Sequence, residues 1–338
     1  MCTACCFTGN DHYMGRNLDL ERSYGEGVVI TPRRYPFRFA DGTETADHLS
    51  IIGMAAIAEG YPLYFDGVNQ AGLAMAGLNF PESARYAPPT DAVWGIAPYE
   101  LIPRILCCCH TVAEGVALLQ KREIVQVSFS KELPLTPLHW LLADRGRAVT
   151  VEATAQGLRI WDNPVKVLTN EPPFEEQMAF LRQFSSLSAE MPADRFAPEL
   201  SLRPNSKGAG TWGLPGDLSS ASRFVRATFT LWNATVGASE ADNVGQCFHV
   251  LDAVAQVRGC NRTAEGLEIT RYSACLNMDK GIYYYTTYDN RRITGVSLGD
   301  VPKTETRLYF HPITAPQDVA MRRATPVGEV FAAESQEN

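Results

Sequence analysis

A cysteine directly behind the initiator methionine brings two reactive groups to one residue. The small side chain of Cys2 permits removal of Met1, which leaves a thiol and a free α-amine side by side. An α-amine titrates near 7.7–8.0 in short peptides, about three units below a lysine, so near neutral pH it can be uncharged and accept the thiol proton. Position alone then supplies both nucleophile and base. The plain alternative is a buried strand cysteine, since cysteine is among the residue types most often found inside proteins. The segment Gly15-Arg16-Asn17-Leu18-Asp19 bears on that choice. If it folds back beside Cys2, Arg16 and Leu18 share one strand face, Asn17 takes the other, and Asp19 sits at the strand end, where the chain can turn it inward. An Asp there can hold the α-amine by hydrogen bonds and an Arg can favour the thiolate. Otherwise the pair is a surface salt bridge.

The positioning elements can be read outward from this point. Thr3 to Leu18 reads as two β-runs around Gly9-Asn10-Asp11, a hairpin turn sequence. Further strand runs are Leu49–Ala58, Pro62–Asp66, Gly72–Leu78, Leu138–Ala143, Ala148–Ala153, Val165–Leu168, Gly266–Cys275 and Ile282–Tyr288. Helices interrupt them in pairs. Pro98 opens one through Ile102, Ile105 and Leu106, and Thr111 with Glu114 makes a capping-box start for the next. Ser219 to Trp232 sets Phe224, Val225, Thr228, Phe229 and Trp232 on one face, and Ser239 with Asp242 starts a helix carrying Val244, Phe248, Leu251 and Val254. Strand runs with grouped helices, rather than strict alternation, imply a layered α+β fold. The Ser-, Pro- and Gly-rich stretch from Ser185 to Gly216 reads as a long excursion near a functional edge that does not divide two domains. One domain over residues 1–324 and a polar tail over 325–338 follow.

Composition removes several function classes. The chain of 338 residues is 45% hydrophobic, ordinary for a protein that buries a sizeable core. Its 30 Lys and Arg against 38 Asp and Glu give a net charge of −8, the wrong sign for a nucleic-acid partner. The N-terminus has no basic region leading an apolar run, and no apolar run reaches the length of a membrane span, so a cytoplasmic location with no membrane insertion is expected. Nine cysteines is an odd number, and the clusters Cys2, Cys5, Cys6 and Cys107, Cys108, Cys109 are too local for a disulfide framework; reduced thiols are the simpler reading. Cys107-Cys108-Cys109-His110 lacks the two-residue spacing of zinc ligands, and adjacent helical residues fan outward, so no metal is expected. The glycines Gly208, Gly210, Gly213 and Gly216 lack the strand–loop–helix context and the following Lys-Ser or Lys-Thr of a phosphate loop. No cofactor is expected.

The N-terminal run MCTACCFTGNDHYMGRNLDLERSYGE resembles that of the choloylglycine hydrolase family, N-terminal-nucleophile amidases that include bile salt hydrolases and penicillin V acylases. Similar family blocks follow in family order at YPLYFDGVNQAGLAMAGLNFP, PLHWLLAD, VLTNEPPFEEQ, GLPGDLSSASRFVRA and MDKGIYYYTTYDN, reaching to about residue 310. The resemblance implies a four-layer αββα sandwich, Cys2 as nucleophile, Arg16 and Asp19 flanking it, and Asn79, Asn170 and Arg223 completing the polar site.

Each of the last three also has an ordinary reading. Asn170 precedes Glu171-Pro172, where its amide either donates to an oxyanion or caps its own backbone; Asn79 before Pro81 has the same two readings. Arg223 near the start of a helix is either an electrostatic organiser or a solvated helix residue. Asn at position 79 matches the bile-salt subgroup, where the penicillin V subgroup commonly has Tyr. The resemblance further places Leu20, Ile57, Tyr61, Phe129, Leu133 and Leu138 around the acyl group, as an apolar wall a steroid needs; plain core is their default. The implied reaction is hydrolysis of glycine- or taurine-conjugated bile acids, by a homo-oligomer, with a tetramer implied by kinship. The alternatives are penicillin V or acyl homoserine lactone amidase activity, and a bile-acid-binding relative without catalysis.

Overall fold

The turn residues Gly9-Asn10-Asp11 join β1 (Cys2–Thr8) to β2 (His12–Leu20), an antiparallel hairpin with Cys2 opposite Leu18 and Ala4 opposite Arg16. The computed structural model describes residues 1–89, 95–197 and 199–324; the tail expected at 325–338 lies outside them. After the hairpin come β3 (Gly27–Thr31), β4 (Ile51–Ala58), β5 (Tyr61–Asn69) and β6 (Ala74–Asn79), then α1 (Leu101–Cys108) and α2 (Val112–Leu119). Next are β7 (Leu138–Ala143), β8 (Ala148–Thr154), β9 (Gly157–Asp162), β10 (Val167–Leu168), α3 (Phe174–Leu181), α4 (Ser220–Asn233) and α5 (Glu240–Asp252). The last described strands are β11 (Ile269–Asn277), β12 (Ile282–Thr287), β13 (Thr294–Ser297) and β14 (Tyr309–Pro312).

Among the described residues these strands form two antiparallel sheets, one of six in the order β10-β1-β2-β11-β12-β13 and one of eight in the order β9-β8-β7-β6-β5-β4-β3-β14. Helices α4 and α5 cover the first, α1 covers the second, and the sheets meet where β1 lies against β6 and β10 against β7. The result is a layered αββα sandwich. Alternation explains why its inner strands are apolar on both faces: in β4, Ile52 and Met54 enter the core shared with β1 and β2, while Ile51 and Ala55 enter the core beneath α1. Each fully buried Ile or Met side chain among these contributes about 1.5–3 kcal/mol.

Local chemistry starts the helices as expected, with one exception. Ser239 and Asp242 close a reciprocal capping box on α5. Thr111 accepts from Glu114 N, but the Glu114 carboxylate reaches past the cap to His110 N, 2.8 Å away, so that box stays half made. Other expectations need correction. Trp232 is 62% exposed and leaves the buried face of α4; its indole N–H donates to Val165 O at 2.9 Å. The run Val165–Leu168 is strand only at Val167–Leu168, because Lys166 takes a positive φ of 58°. The run Gly266–Cys275 divides into a two-residue ladder on Arg262–Thr263 and β11. Strands β3, β9, β13, β14 and helix α3 are additions to the elements read from the sequence. Among its described residues the excursion from 185 to 216 holds one short 3-10 turn, Ala209–Thr211.

Candidate active site

Strand alternation sends the Cys2 and Arg16 side chains into the space between the sheets. There the Cys2 thiol is buried, 3.4 Å from Arg16 Nη2. The second sheet holds that guanidinium in place. Nη2 donates to Gly77 O at 2.8 Å, and Nη1 donates to Asp66 Oδ2 at 3.1 Å. Asp66 is itself saturated, accepting from Tyr272 OH at 2.5 Å and Tyr283 OH at 2.7 Å. Its direction comes from a bulge in β5 opposite Met54 and Ala55, where Gly53 is required: a Cβ there would lie 2.1 Å from Asp66 O. Burial opposes charge on Arg16, but Tyr272, Cys2 and Asp66 outweigh it and raise its pKa further. Burial also holds the Tyr272 proton in place, so its hydroxyl stands as a donor to Asp66.

The opposite face of the hairpin carries a different arrangement. A bulge between Thr270 and Tyr272 of β11 carries the end of β2 inward, and Thr270 Oγ1 donates to Asp19 Oδ1 at 2.6 Å. Asp19 Oδ2 is buried without a hydrogen-bond donor; Arg223 Nη1 stands 3.9 Å away. Burial pushes the Asp19 carboxyl up from its ordinary range, against the pull of Arg223, the chain terminus and Thr270. Arg223 is wholly buried, which removes its solvated-helix reading. It donates to Cys2 O and Thr3 Oγ1, both at 2.6 Å, and to Asn170 Oδ1 at 2.8 Å. Burial lowers its pKa, with Asp19 and Cys2 partly offsetting.

Asn170 joins the two halves. Its Oδ1 accepts from Cys2 N at 2.7 Å, and its Nδ2 donates to Asn79 O at 2.7 Å. The amide oxygen therefore faces the nitrogen of Cys2, which differs from an amide aimed only at an oxyanion; among the described residues one Nδ2 hydrogen is left uncommitted. Asn170 N donates to Ser220 Oγ at 2.8 Å, and Asn170 O accepts from Gln177 Nε2 at 2.6 Å. Asn79, half-buried, ends β6 opposite Leu138. With Met1 in place, Cys2 N is a peptide nitrogen, and the Met1 ammonium pairs with Glu268 and donates to Asp19 O at 2.6 Å.

Cys2, Arg16, Asp19, Asn79, Asn170 and Arg223 thus meet in one place. The apolar residues meet only in part. The Tyr61 and Phe129 rings meet tilted at 42° with centroids 5.8 Å apart, and both lie with Leu138 on the core under α1. Leu20 packs on the other core, Ile57 is 41% exposed on its strand, and Leu133 closes a turn by donating to Ser130 Oγ. Sequence reasoning missed Asp66, Tyr272, Tyr283, Thr270, Ser220 and Gln177. A usable signal existed for the first: an Asp inside the apolar run Tyr61–Asn69 requires a buried partner.

Among the described residues no group of three or more His, Cys, Asp or Glu side chains is arranged to hold a metal ion, and no helix is long and apolar enough to cross a membrane. Cys107 and Cys108 lie with their sulfurs 3.4 Å apart at the end of α1, while His110 turns to Glu114.

Comparison with known proteins bears directly on this geometry. The bile salt hydrolase/transferase of Lactiplantibacillus plantarum is 45% identical over 314 residues, 93% of this chain and 97% of that protein. That of Clostridium perfringens is 34% identical over 88% of this chain and 92% of its own length. A crystal structure of a mutant conjugated bile acid hydrolase from Clostridium perfringens superposes with a TM-score of 0.88 at 30% identity, covering 96% of this chain and all of that one. Penicillin V acylase from Agrobacterium tumefaciens shares the fold, with a TM-score of 0.74 at 20% identity over 93% of this chain and 92% of that one. The family model for linear amide C–N hydrolases of the choloylglycine hydrolase family matches residues 2–302, beginning at Cys2, and the chain belongs to that family.

Proposed function

We propose that this chain hydrolyses the amide bond of glycine- and taurine-conjugated bile acids, with Cys2 as nucleophile after removal of Met1. The observation that carries the reading is that Cys2 has its sulfur 3.4 Å from the buried guanidinium of Arg16 and its nitrogen 2.7 Å from Asn170 Oδ1. Freed of Met1, that nitrogen is an amine held by Asn170, with the open oxygen of Asp19 as a second acceptor. The amine takes the thiol proton, and the thiolate attacks the amide carbonyl under the positive charge of Arg16. The free hydrogen of Asn170 Nδ2 and a donor near Asn79 stabilise the tetrahedral oxyanion. The α-ammonium then protonates the departing nitrogen of glycine or taurine, the C–N bond breaks, and a thioester remains on Cys2. Water, deprotonated by the same amine, attacks the thioester and releases the free bile acid and the thiol.

Relatives at 34–45% identity are bile acid hydrolases, and this supports the substrate; the 20% likeness to penicillin V acylase speaks to fold alone. The apolar residues Tyr61, Phe129 and Leu138 on one core, Leu20 on the core that holds Cys2, and Ile57 and Leu133 are the side chains assigned to a steroid body. Residues 1–324 serve as one catalytic domain. The free state of all nine cysteines agrees with a cytoplasmic setting, and kinship supports a homo-oligomer, a tetramer by preference.

The test uses protein whose N-terminus has been verified by mass, incubated with glycocholate, taurocholate and penicillin V. The expected result is release of glycine and taurine by chains beginning at Cys2, none from Cys2→Ala, and none from chains retaining Met1. Cleavage of penicillin V with both bile salts untouched overturns the substrate assignment.

A further inference from the structure

Among the described residues the segment that carries Asn170 has no strand partner beyond Leu168, yet Thr169, Asn170 and Phe174 are buried, so their backbone groups must be satisfied by side chains. Ser220 and Gln177 serve Asn170 itself. The groups on either side of it are served by two residues that the proposed chemistry does not use. His139 Nε2 lies 2.8 Å from Thr169 O, and His139 Nδ1 lies 3.1 Å from Glu152 Oε1. The same Oε1 accepts from Phe174 N at 2.9 Å. The imidazole lies flat on Phe80, with centroids 4.2 Å apart and planes within 7°. Exposure is 0% for His139 and 1% for Glu152, so water does not substitute for either contact.

A carbonyl oxygen only accepts, which fixes a proton on Nε2. The contact between Nδ1 and Oε1 requires a second proton, whether it rests on the ring as imidazolium or on the carboxyl. The pair therefore holds two protons and no net charge, and a single neutral substitution at either residue breaks the pattern of donors and acceptors. Both residues project from inner strands of the eight-stranded sheet, β7 and β8, which are rigid elements. Thr169 O and Phe174 N are the two ends of the segment that presents Asn170 to Cys2 N.

We infer that His139 and Glu152 are a positioning pair that clamps the 169–174 segment at both ends and so fixes Asn170 against the Cys2 amine. This rests on the proposed amidase chemistry at Cys2 and adds two residues to it, neither of which touches substrate. Because the clamp sets geometry for the chemical step rather than for the steroid, its loss falls on kcat. A misplacement of about 1 Å costs about a hundredfold, and a partly loosened segment about tenfold.

The experiment measures kcat and KM for glycocholate and taurocholate, with thermal unfolding, for wild type, His139→Leu, His139→Gln and Glu152→Gln. His139→Leu is expected to lower kcat by about ten- to a hundredfold with KM within about twofold. His139→Gln retains a donor for Thr169 O and is expected to recover part of that loss. If His139→Leu does not fold, Glu152→Gln is compared with His139→Gln/Glu152→Gln. In the double variant two amides can relay from Phe174 N to Thr169 O, so its kcat is expected to exceed that of Glu152→Gln alone. The inference is overturned by wild-type kcat in folded His139→Leu, by losses that follow only the folded fraction, or by a double variant no better than the single. Failure of the wild type on both bile salts strikes the proposed substrate instead, and the variants are then ranked on penicillin V; no turnover of any amide overturns both readings.

Discussion

Two buried arginines flank Cys2 on opposite faces of one hairpin, and they are held in opposite ways. Arg16 has a complete counter-charge: Asp66 at 3.1 Å, itself locked by two tyrosines, and its pKa is raised. Arg223 spends its hydrogens on neutral oxygens of Cys2, Thr3 and Asn170, its carboxylate neighbour Asp19 stands back at 3.9 Å, and its pKa is lowered. The contrast separates two tasks. Arg16 is an electrostatic fixture beside the sulfur, with a charge neutralised from behind. Arg223 is a clamp on the backbone and on Asn170, and the charge balance on its side is left loose around Asp19. Asp19 Oδ2 is thereby left without a hydrogen-bond partner among the described residues, and it is this oxygen that the proposed chemistry assigns to the α-amine.

The largest effect is expected where the balance is complete. Asp66→Asn removes the counter-charge of a guanidinium that has no access to water, and should lower the unfolding free energy by about 3–5 kcal/mol in a urea titration. Adding Arg16→Met to Asp66→Asn removes the stranded cation as well. The double variant should regain stability over Asp66→Asn while remaining inactive, because the charge beside the sulfur is gone. A double variant less stable than the single would show that Arg16 is not electrostatically dependent on Asp66.

A smaller stability effect is expected on the loose side. Asp19→Asn keeps an acceptor for Thr270 and gives up a carboxylate whose ionisation the fold already resists, so stability should change by only about 1 kcal/mol or less. The pH trend has a definite sign. A carboxyl raised by burial is stabilising only below its ordinary range and costs stability as pH rises through its folded value, and Asn has no such cost. The variant should therefore gain relative to wild type as pH rises above the ordinary 3.8. Turnover should nonetheless fall sharply, since the second acceptor for the amine is weakened; equal activity would remove Asp19 from the proposed mechanism.

Those same contrasts explain what could be read in advance. Cys2, Arg16 and Asp19 are close in sequence, joined by a turn whose residues announce it, so their meeting needs only a hairpin. Asn79, Asn170 and Arg223 carry no local signal strong enough to displace a turn or surface reading, and came forward through resemblance. Asp66, inside an apolar run, signalled a buried partner without naming it, and Tyr272 and Tyr283 were silent because their role exists only where two sheets meet. In the same way, β4 and β6 are legible as continuous apolar runs, whereas β9 alternates half-exposed residues and β14 is exposed throughout, so neither has a hydrophobic pattern to follow. Trp232 fits a helical face by spacing, but an indole with its N–H on Val165 O can leave that face without penalty.

The smallest effect sharpens the Arg223 side, because that arginine depends on how α4 begins. Asp217 Oδ1 accepts from Ser219 N at 3.0 Å and Oδ2 accepts from Ser222 Oγ at 2.5 Å, bracing the cap one turn ahead of Arg223. These bonds to Ser219 and Ser222 hold the Asp217 carboxyl at about 2, below its ordinary 3.8. An acid depressed in the folded state contributes above its ordinary value, and the contribution is lost as pH falls from 3.8 towards about 2. Asp217 is exposed, so solvent screening limits that contribution to about 0.5 kcal/mol. Asp217→Asn should therefore lower the urea midpoint slightly at pH 6, and the gap to wild type should shrink by pH 3. A gap that stays constant with pH would mean that the charge at the start of α4 plays no part, and that Arg223 is held by packing and its own hydrogen bonds alone.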